Sequence, residues 1–273
     1  MRICRFRSAT GTPAYGAVEG DVVHELAGDV FDAASRTVGA EVGDLASVSL
    51  LAPVAPTKVV CAGRNYRSLL AEQGRDLPAE PFLFLKASTA VVGPGAPVIY
   101  PTGVADVAHE GELAAVIGRE SRQLTRDTAL QSVLGYTAAN DVTVRDWQAP
   151  NDQWWRAKSA DTHCPLGPWV VTDLADPHDT RVRTYVNGEL RQDGTTSDLV
   201  FDVVDLLVHI TAHMTLLPGD VVLTGTAAGI RPVCPGDVMR VEVDNVGCLE
   251  NEVRPGPPAN ADDRTGHEVK RRD

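Results

Sequence analysis

Two glutamates separated by one glycine, Glu110 and Glu112, stand in the segment VAHEGELAAVIGRE. Side chains alternate along an extended strand, so this spacing projects both carboxylates from one face, about 7 Å apart. They lead into the apolar run LAAVIG, where like charges repel and lose solvation unless something positive lies between them. A hard divalent cation meets that need, and oxygen ligands select Mg2+, Mn2+ or Ca2+ over zinc. Taken alone, the pair also fits a solvated strand face.

A third carboxylate comes from GYTAANDVTVRDWQ, which places Asp141 after a strand-like stretch and before a short helical turn. Arg145 is four residues on and Gln148 seven on, so the three are expected to share a helix face. An N-cap aspartate with a surface salt bridge fits the same letters. RAKSADTHCPLGPWVV adds Lys158. Beside a cation, such a lysine would hold a substrate carboxylate or stabilise developing oxyanion charge, and its own pKa would be lowered. DVVLTGTAAGI ends a buried-looking strand, so Gly225 and Thr226 can offer backbone N–H groups and a hydroxyl to an anion. This turn has neither the spacing and lysine of a P-loop nor a Rossmann pattern, and no nucleotide is expected.

The elements that must carry these groups are short. From Lys58 to Val253 the chain runs in brief apolar stretches punctuated by Gly, Pro and Asp, the pattern of a β-rich fold with few helices. Asn187-Gly188, between VRTYV and ELRQ, predicts a tight hairpin. Pro218-Gly219-Asp220 and Pro235-Gly236-Asp237 each predict a turn followed by a strand. The clearest helix is LVFDVVDLLVHITAHMT, with apolar residues recurring at three and four and with His209 and His213 on a shared, partly exposed face. No glutamate follows His209 as a zincin would require.

Residues 1–56 read as a small leading module with strand-like pieces at 15–23 and a helical stretch at 31–34. The Pro53 and Pro56 segment forms its link to a catalytic domain at 57–254. The tail, 255–273, has no apolar periodicity and is expected to be disordered. The net charge of −12 argues against a phosphate-backbone partner, so no nucleic acid is expected. No apolar run approaches membrane-span length and no secretory pattern opens the chain, so the expectation is a soluble, cytoplasmic protein without a membrane partner. The five scattered cysteines show no CxxC spacing, which argues against both a disulfide framework and a zinc cluster.

Taken together and in order, HEGELAAVIG, GYTAANDVTVRDWQ, KSADTHCPLGPWVV, YVNGELRQ and LTGTAAG resemble the fumarylacetoacetate hydrolase (FAH) family. The resemblance implies a mixed, β-rich α+β fold with an FAH-type β-roll catalytic domain, usually dimeric. It implies a divalent metal, commonly Mg2+, on Glu110, Glu112 and Asp141. Tyr66, Arg145, Gln148, Lys158, Gly225 and Thr226 would then bind a small 2-oxo acid. Such an acid chelates a hard cation through its carboxylate and keto oxygens, and Lewis-acid withdrawal of charge favours the enolate. Decarboxylation, acylpyruvate C–C hydrolysis and keto–enol isomerisation all share that intermediate, and the scaffold does not choose among them.

One departure discriminates. The family usually carries a His three residues after the tyrosine of AGRNYRSLLAEQG and a Glu three residues further on, the pair that activates water on a short lid helix. Asn65, Tyr66 and Glu72 match, but the histidine position is Leu69, which cannot accept a proton. His109 and His163 offer no stand-in. Ala227 replaces a proline usual in the glycine turn. The expectation is therefore decarboxylation or isomerisation, with Glu72 or Lys158 moving the proton. An acylpyruvate hydrolase, a non-catalytic metal- or ligand-binding relative and a specialised biosynthetic enzyme are the alternatives.

Overall fold

Short apolar runs separated by turns fold into three β-sheets in the computed structural model, which describes residues 1–257. The largest sheet has 12 strands. Its centre is formed by Cys164–Val171, Val133–Asn140, Gly111–Ile117 and Val221–Leu223. Val221–Leu223 pairs in parallel with Val59–Gly63, which in turn pairs antiparallel with Phe82–Lys86 at the sheet edge. The fold is β-rich with few helices, as the apolar pattern predicts, and the two larger sheets are mixed, as the family resemblance implies.

The leading strands extend this same sheet, since Arg2–Arg7 pairs antiparallel with Cys164–Val171. Residues 31–34, expected to be helical, form turns instead. Asp29 and Asp32 side chains accept the N–H groups of Phe31 and Ala34, and such local bonds favour a turn over a helix. The 53–57 link is fastened at its end: Asp220, in the Pro218-Gly219-Asp220 turn, accepts from the Thr57 hydroxyl at 2.6 Å and pairs with Lys58 at 2.5 Å.

The expected hairpin is present, with Arg181–Val186 and Glu189–Thr195 joined through Asn187 at φ 52° and Gly188 at φ 80°. The predicted strands after both Pro-Gly-Asp turns are Val221–Leu223 and Val238–Val243. The long helix is Val203–His213, closed at its start by a reciprocal Asp202–Asp205 capping box. No helix among the described residues is long and apolar enough to cross a membrane. Pro255, where a disordered tail was expected to start, instead closes the last strand, Gly247–Pro255, and Gly256 N–H bonds to Tyr100 O. The remainder of that expectation, from residue 258 on, lies outside the described residues.

Gly111–Ile117 is buried throughout. Leu113, Ala115 and Ile117 pack into one apolar cluster, whereas Ala114 and Val116 pack into another. A solvated strand face for Glu112 is thereby excluded.

Candidate active site

Strand register brings the acids together. Gly111–Ile117 and Val133–Asn140 pair antiparallel with Gly111 opposite Asn140. Glu110 and Asp141 are the next residues outward on each chain, and Asp141 N–H bonds to Glu110 O at 2.8 Å. Both chains then enter a small three-stranded sheet through Val107–Ala108 and Thr143–Val144. The acids thus occupy the crossing from one sheet to another. Carboxylate oxygens of Glu110, Glu112 and Asp141 lie within 4.8 Å of one another, and all three residues are buried.

Asp141 does not sit on the helix with Arg145 and Gln148, as the four- and seven-residue spacing suggested. The helix is Arg145–Gln148, preceded by the short strand Thr143–Val144. Sheet pairing of that segment to Val107–Ala108 overrides a helical start at Asp141. Arg145 still reaches the acids: Nη2 lies 2.6 Å from Glu110 Oε1, and Nη1 donates to Gln148 Oε1 at 2.5 Å.

Lys158 Nζ lies 2.8 Å from Glu110 Oε2 and 2.7 Å from Asp141 Oδ2, and 4.9 Å from the Phe84 ring centre. Lys86, at the end of the edge strand, donates to Asp141 Oδ1 at 2.5 Å and to Val142 O at 3.2 Å. Sequence reading missed Lys86; a lysine closing the apolar run PFLFLK was the available signal. Burial opposes the charged form of Asp141, but the two ammonium groups outweigh it and hold its carboxyl below the ordinary range. Burial likewise opposes the Lys158 ammonium, yet Asp141 and Glu110 raise its pKa. These two carboxylates thus favour the ammonium form, whereas the lowering expected of Lys158 is the effect of a cation bound beside it.

Glu112 is different. Its carboxylate takes one hydrogen bond, from Gly225 N–H at 2.7 Å, and no lysine or arginine pairs with it among the described residues. Burial, then the charges of Asp141 and Glu110, push its pKa well above the carboxylate range. A buried acid with so little compensation, facing a cavity with two more oxygen donors, fits a hard divalent cation.

The glycine turn serves this acid. Gly225 adopts φ +102°, where glycine is favoured, and directs its N–H to Glu112. It does not present that N–H to a substrate as expected. The Thr226 hydroxyl donates to Gly111 O at 2.9 Å and accepts from Gln192 Nε2 at 2.8 Å. Gln192, also missed, accepts Gly111 N–H and contacts His109 Nδ1, each at 3.1 Å, and so locks the acid-bearing segment to the turn.

These groups surround a cavity of about 370 Å3, within the size range of small-molecule sites. Glu110, Glu112, Asp141, Arg145, Gln148, Lys158 and Thr226 line it together with Leu69, Phe84, Trp154 and Ile230. Arg64, Gln73 and Arg75 add a second polar region. Arg64 holds φ 56°, a left-handed conformation that costs a non-glycine residue about 1–2 kcal/mol.

The helix Arg67–Glu72 carries Leu69, which is buried against Tyr66, Leu199 and Ala227. Tyr66, expected to bind substrate, belongs to that apolar cluster and is not on the cavity wall. Asn65 ties the region down: Nδ2 donates to Thr224 O and Phe201 O, and Oδ1 accepts Phe201 N–H. Glu72, expected to move a proton, also lies off the wall, accepting Gly229 N–H at 3.3 Å and standing 3.6 Å from Arg231. No histidine lines the cavity among the described residues. Burial lowers the pKa of both His109 and His163 to about 4, so both are neutral near pH 7.

Residues 58–254 match the family described as Fumarylacetoacetate (FAA) hydrolase C-terminal, and residues 1–53 match Rv2993c-like, N-terminal. The fold is similar to the crystal structure of 5-carboxymethyl-2-hydroxymuconate delta-isomerase from Mycobacterium smegmatis, at 43% identity and TM-score 0.87, over 94% of this chain and 100% of that one. Maleylpyruvate hydrolase from Sphingobium sp. SYK-6 aligns over the same shares at 30% identity and TM-score 0.78. The mitochondrial oxaloacetate tautomerase fahd2 of Xenopus laevis is 41% identical over 219 residues, 76% of this chain and 69% of that protein.

Proposed function

The chain belongs to the fumarylacetoacetate hydrolase family and is an enzyme of that family, and from that premise we propose that it interconverts the keto and enol forms of a small 2-oxo acid with the aid of a divalent cation. The observation that carries this reading is Leu69: the cavity beside the three acids has an apolar side chain where a water-activating imidazole would stand. Tautomerisation needs no water. One proton leaves oxygen, one arrives at carbon, and nothing else is consumed.

Glu110, Glu112 and Asp141 would hold the cation, with Mg2+ suited to the all-oxygen donor set. When bound it would supply Lewis-acid withdrawal of charge from the 2-oxo group, which acidifies the adjacent C–H. Arg145, braced by Gln148 and Glu110, offers its guanidinium edge to the substrate carboxylate. Lys158 lies between two carboxylates that favour its ammonium form, so its Nζ donates a proton to C3 of the enol and the resulting amine takes up the proton that leaves the enol oxygen; the reverse direction runs the same two transfers backwards. Lys86 remains on Asp141 and keeps that carboxylate ionised. Phe84 and Trp154 narrow the cavity on its apolar side.

The oxaloacetate tautomerase and delta-isomerase relatives support this choice, and the maleylpyruvate hydrolase names the competing reaction. The test follows enol and keto absorbance of oxaloacetate with Mg2+ and with EDTA, beside hydrolysis of an acylpyruvate. Metal-dependent tautomerisation without appreciable hydrolysis is expected. Hydrolysis at a comparable rate would overturn the reading.

A further inference from the structure

Glu110 and Gly111 stand where the chain leaves one sheet for another, and their N–H groups turn to side chains rather than to a neighbouring strand. Asn140 Oδ1 accepts Glu110 N–H at 2.9 Å, and Gln192 Oε1 accepts Gly111 N–H at 3.1 Å. The Thr226 hydroxyl donates to Gly111 O at 2.9 Å and accepts from Gln192 Nε2 at 2.8 Å. Gln192, Gly111 and Thr226 thereby close a ring of hydrogen bonds, with Gln192 only 2% exposed.

The Gln192 amide has one orientation. Gly111 N–H can only donate, and Ala227 O, which takes the second Nε2–H at 2.7 Å, can only accept. Oε1 therefore also accepts from His109 at 3.1 Å, which places the imidazole proton on Nδ1. Every hydrogen-bonding position of this buried amide is filled, and its partners belong to two segments: the one that carries Glu110 and Glu112, and the glycine turn whose Gly225 N–H reaches Glu112.

The Asn187-Gly188 hairpin brings the amide to this place. Thr184 and Gln192 are cross-strand partners in it. Thr184 packs so closely on Gly111 that a Cβ at that position would collide with its hydroxyl. A glycine between the two acids thus admits a hairpin from another sheet.

Resting on the cation reading above, we propose that Gln192 is a positioning residue for the metal centre: by bonding Gly111 and the glycine turn at once, it fixes Glu110, Glu112 and the Gly225 N–H relative to one another and so sets the affinity of the acids for a divalent ion. Gln192 is not on the cavity wall, and it acts only through the groups it holds. Ligand carboxylates tolerate little displacement, so an outer partner of this kind governs affinity without touching the ion.

The test measures Mg2+ binding to the substrate-free protein by calorimetry. Gln192→Met keeps the side-chain size and removes every bond of the amide; its dissociation constant should rise about ten- to hundredfold, the usual effect of losing an outer partner of metal ligands. Gln192→Asn, one methylene too short to join both segments, should show a smaller rise and remains informative if Gln192→Met folds poorly. Asn251→Leu is the control for a merely structural amide, because Asn251 is likewise 2% exposed, donates to Gly93 O and Ala96 O, and lies off the cavity wall. It should lower Tm yet leave the Mg2+ dissociation constant within about twofold. Gln192→Met combined with Thr226→Val should weaken Mg2+ binding by less than the product of the single effects, since both break one ring. Fully multiplicative effects, or unchanged Mg2+ affinity in both Gln192 variants, overturn the proposal. If wild type binds no Mg2+, the cation reading fails, and amide exchange still decides whether Gln192 positions the acids. Gly225 N–H should then lose at least about tenfold protection in Gln192→Met but not in Asn251→Leu, and equal protection in the two refutes the role.

Discussion

Lys158 and Asp141 form an ion pair at 2.7 Å in which neither side chain is more than 2% exposed. Glu110 shares the same ammonium, and Lys86 covers the other oxygen of Asp141. Two of the three acids are thus compensated by the chain itself. Glu112 is left as the one whose charge depends on something bound.

Glu112→Gln tests that asymmetry. Removing a buried, repelled carboxylate should leave the metal-free protein as stable as wild type or more so, because burial and like charges already disfavour the ionised form. The stabilisation conferred by Mg2+, about 2.7 kcal/mol at a hundred times the dissociation constant, should vanish. Thermal unfolding with EDTA and with Mg2+ measures both, and an undiminished Mg2+ shift in the variant would contradict the ligand assignment.

Lys158→Met leaves Glu110 and Asp141 facing one another without their shared cation. Loss of one partner from a buried pair costs about 3–5 kcal/mol. Denaturant unfolding in EDTA should show a loss of that order, and Mg2+ should recover more stability than it gives wild type. Tautomerisation should fall by at least about a hundredfold. Retained activity would move the proton donor elsewhere.

Leu69→His introduces an imidazole beside Tyr66, Leu199 and Ala227. Burying it without a partner should cost about 1–3 kcal/mol. Acylpyruvate hydrolysis, expected to be at least about a hundredfold slower than tautomerisation in wild type, should rise in the variant. Glu72 must leave Gly229 and Arg231 to assist, so adding Arg231→Ala should increase the gain. No gain in either variant would show that position 69 does not control the reaction.

His163 predicts an acid limb of stability. Its Nε2–H donates to Ile99 O at 2.8 Å, and burial holds the pKa at about 4 against 6.5 unfolded. Between those values the unfolded chain binds a proton that the folded chain refuses. Stability is therefore fully present above pH 6.5 and falls as pH drops towards 4, by up to about 3 kcal/mol. His109 contributes a second limb of the same sign. His163→Gln keeps an N–H donor and should remove about half the slope of unfolding free energy against pH, while an unchanged slope would refute the assignment.

Local spacing made much of this protein readable from its letters. The Glu-Gly-Glu pair, the Asn187-Gly188 hairpin and the Pro-Gly-Asp turns each depend on backbone preferences spanning a few residues, and the ordered segments carried the family. Which distant groups meet is decided by strand register and by the parallel pairing of Val221–Leu223 with Val59–Gly63, both properties of sheets assembled from far-apart segments. That assembly delivers Lys86 to Asp141, Gly225 N–H to Glu112 and Arg64 to the same cavity as Lys158, and leaves Glu72 off its wall. A side chain's type states what it can do, whereas its partners, burial and charge state depend on contacts that no short window of sequence contains.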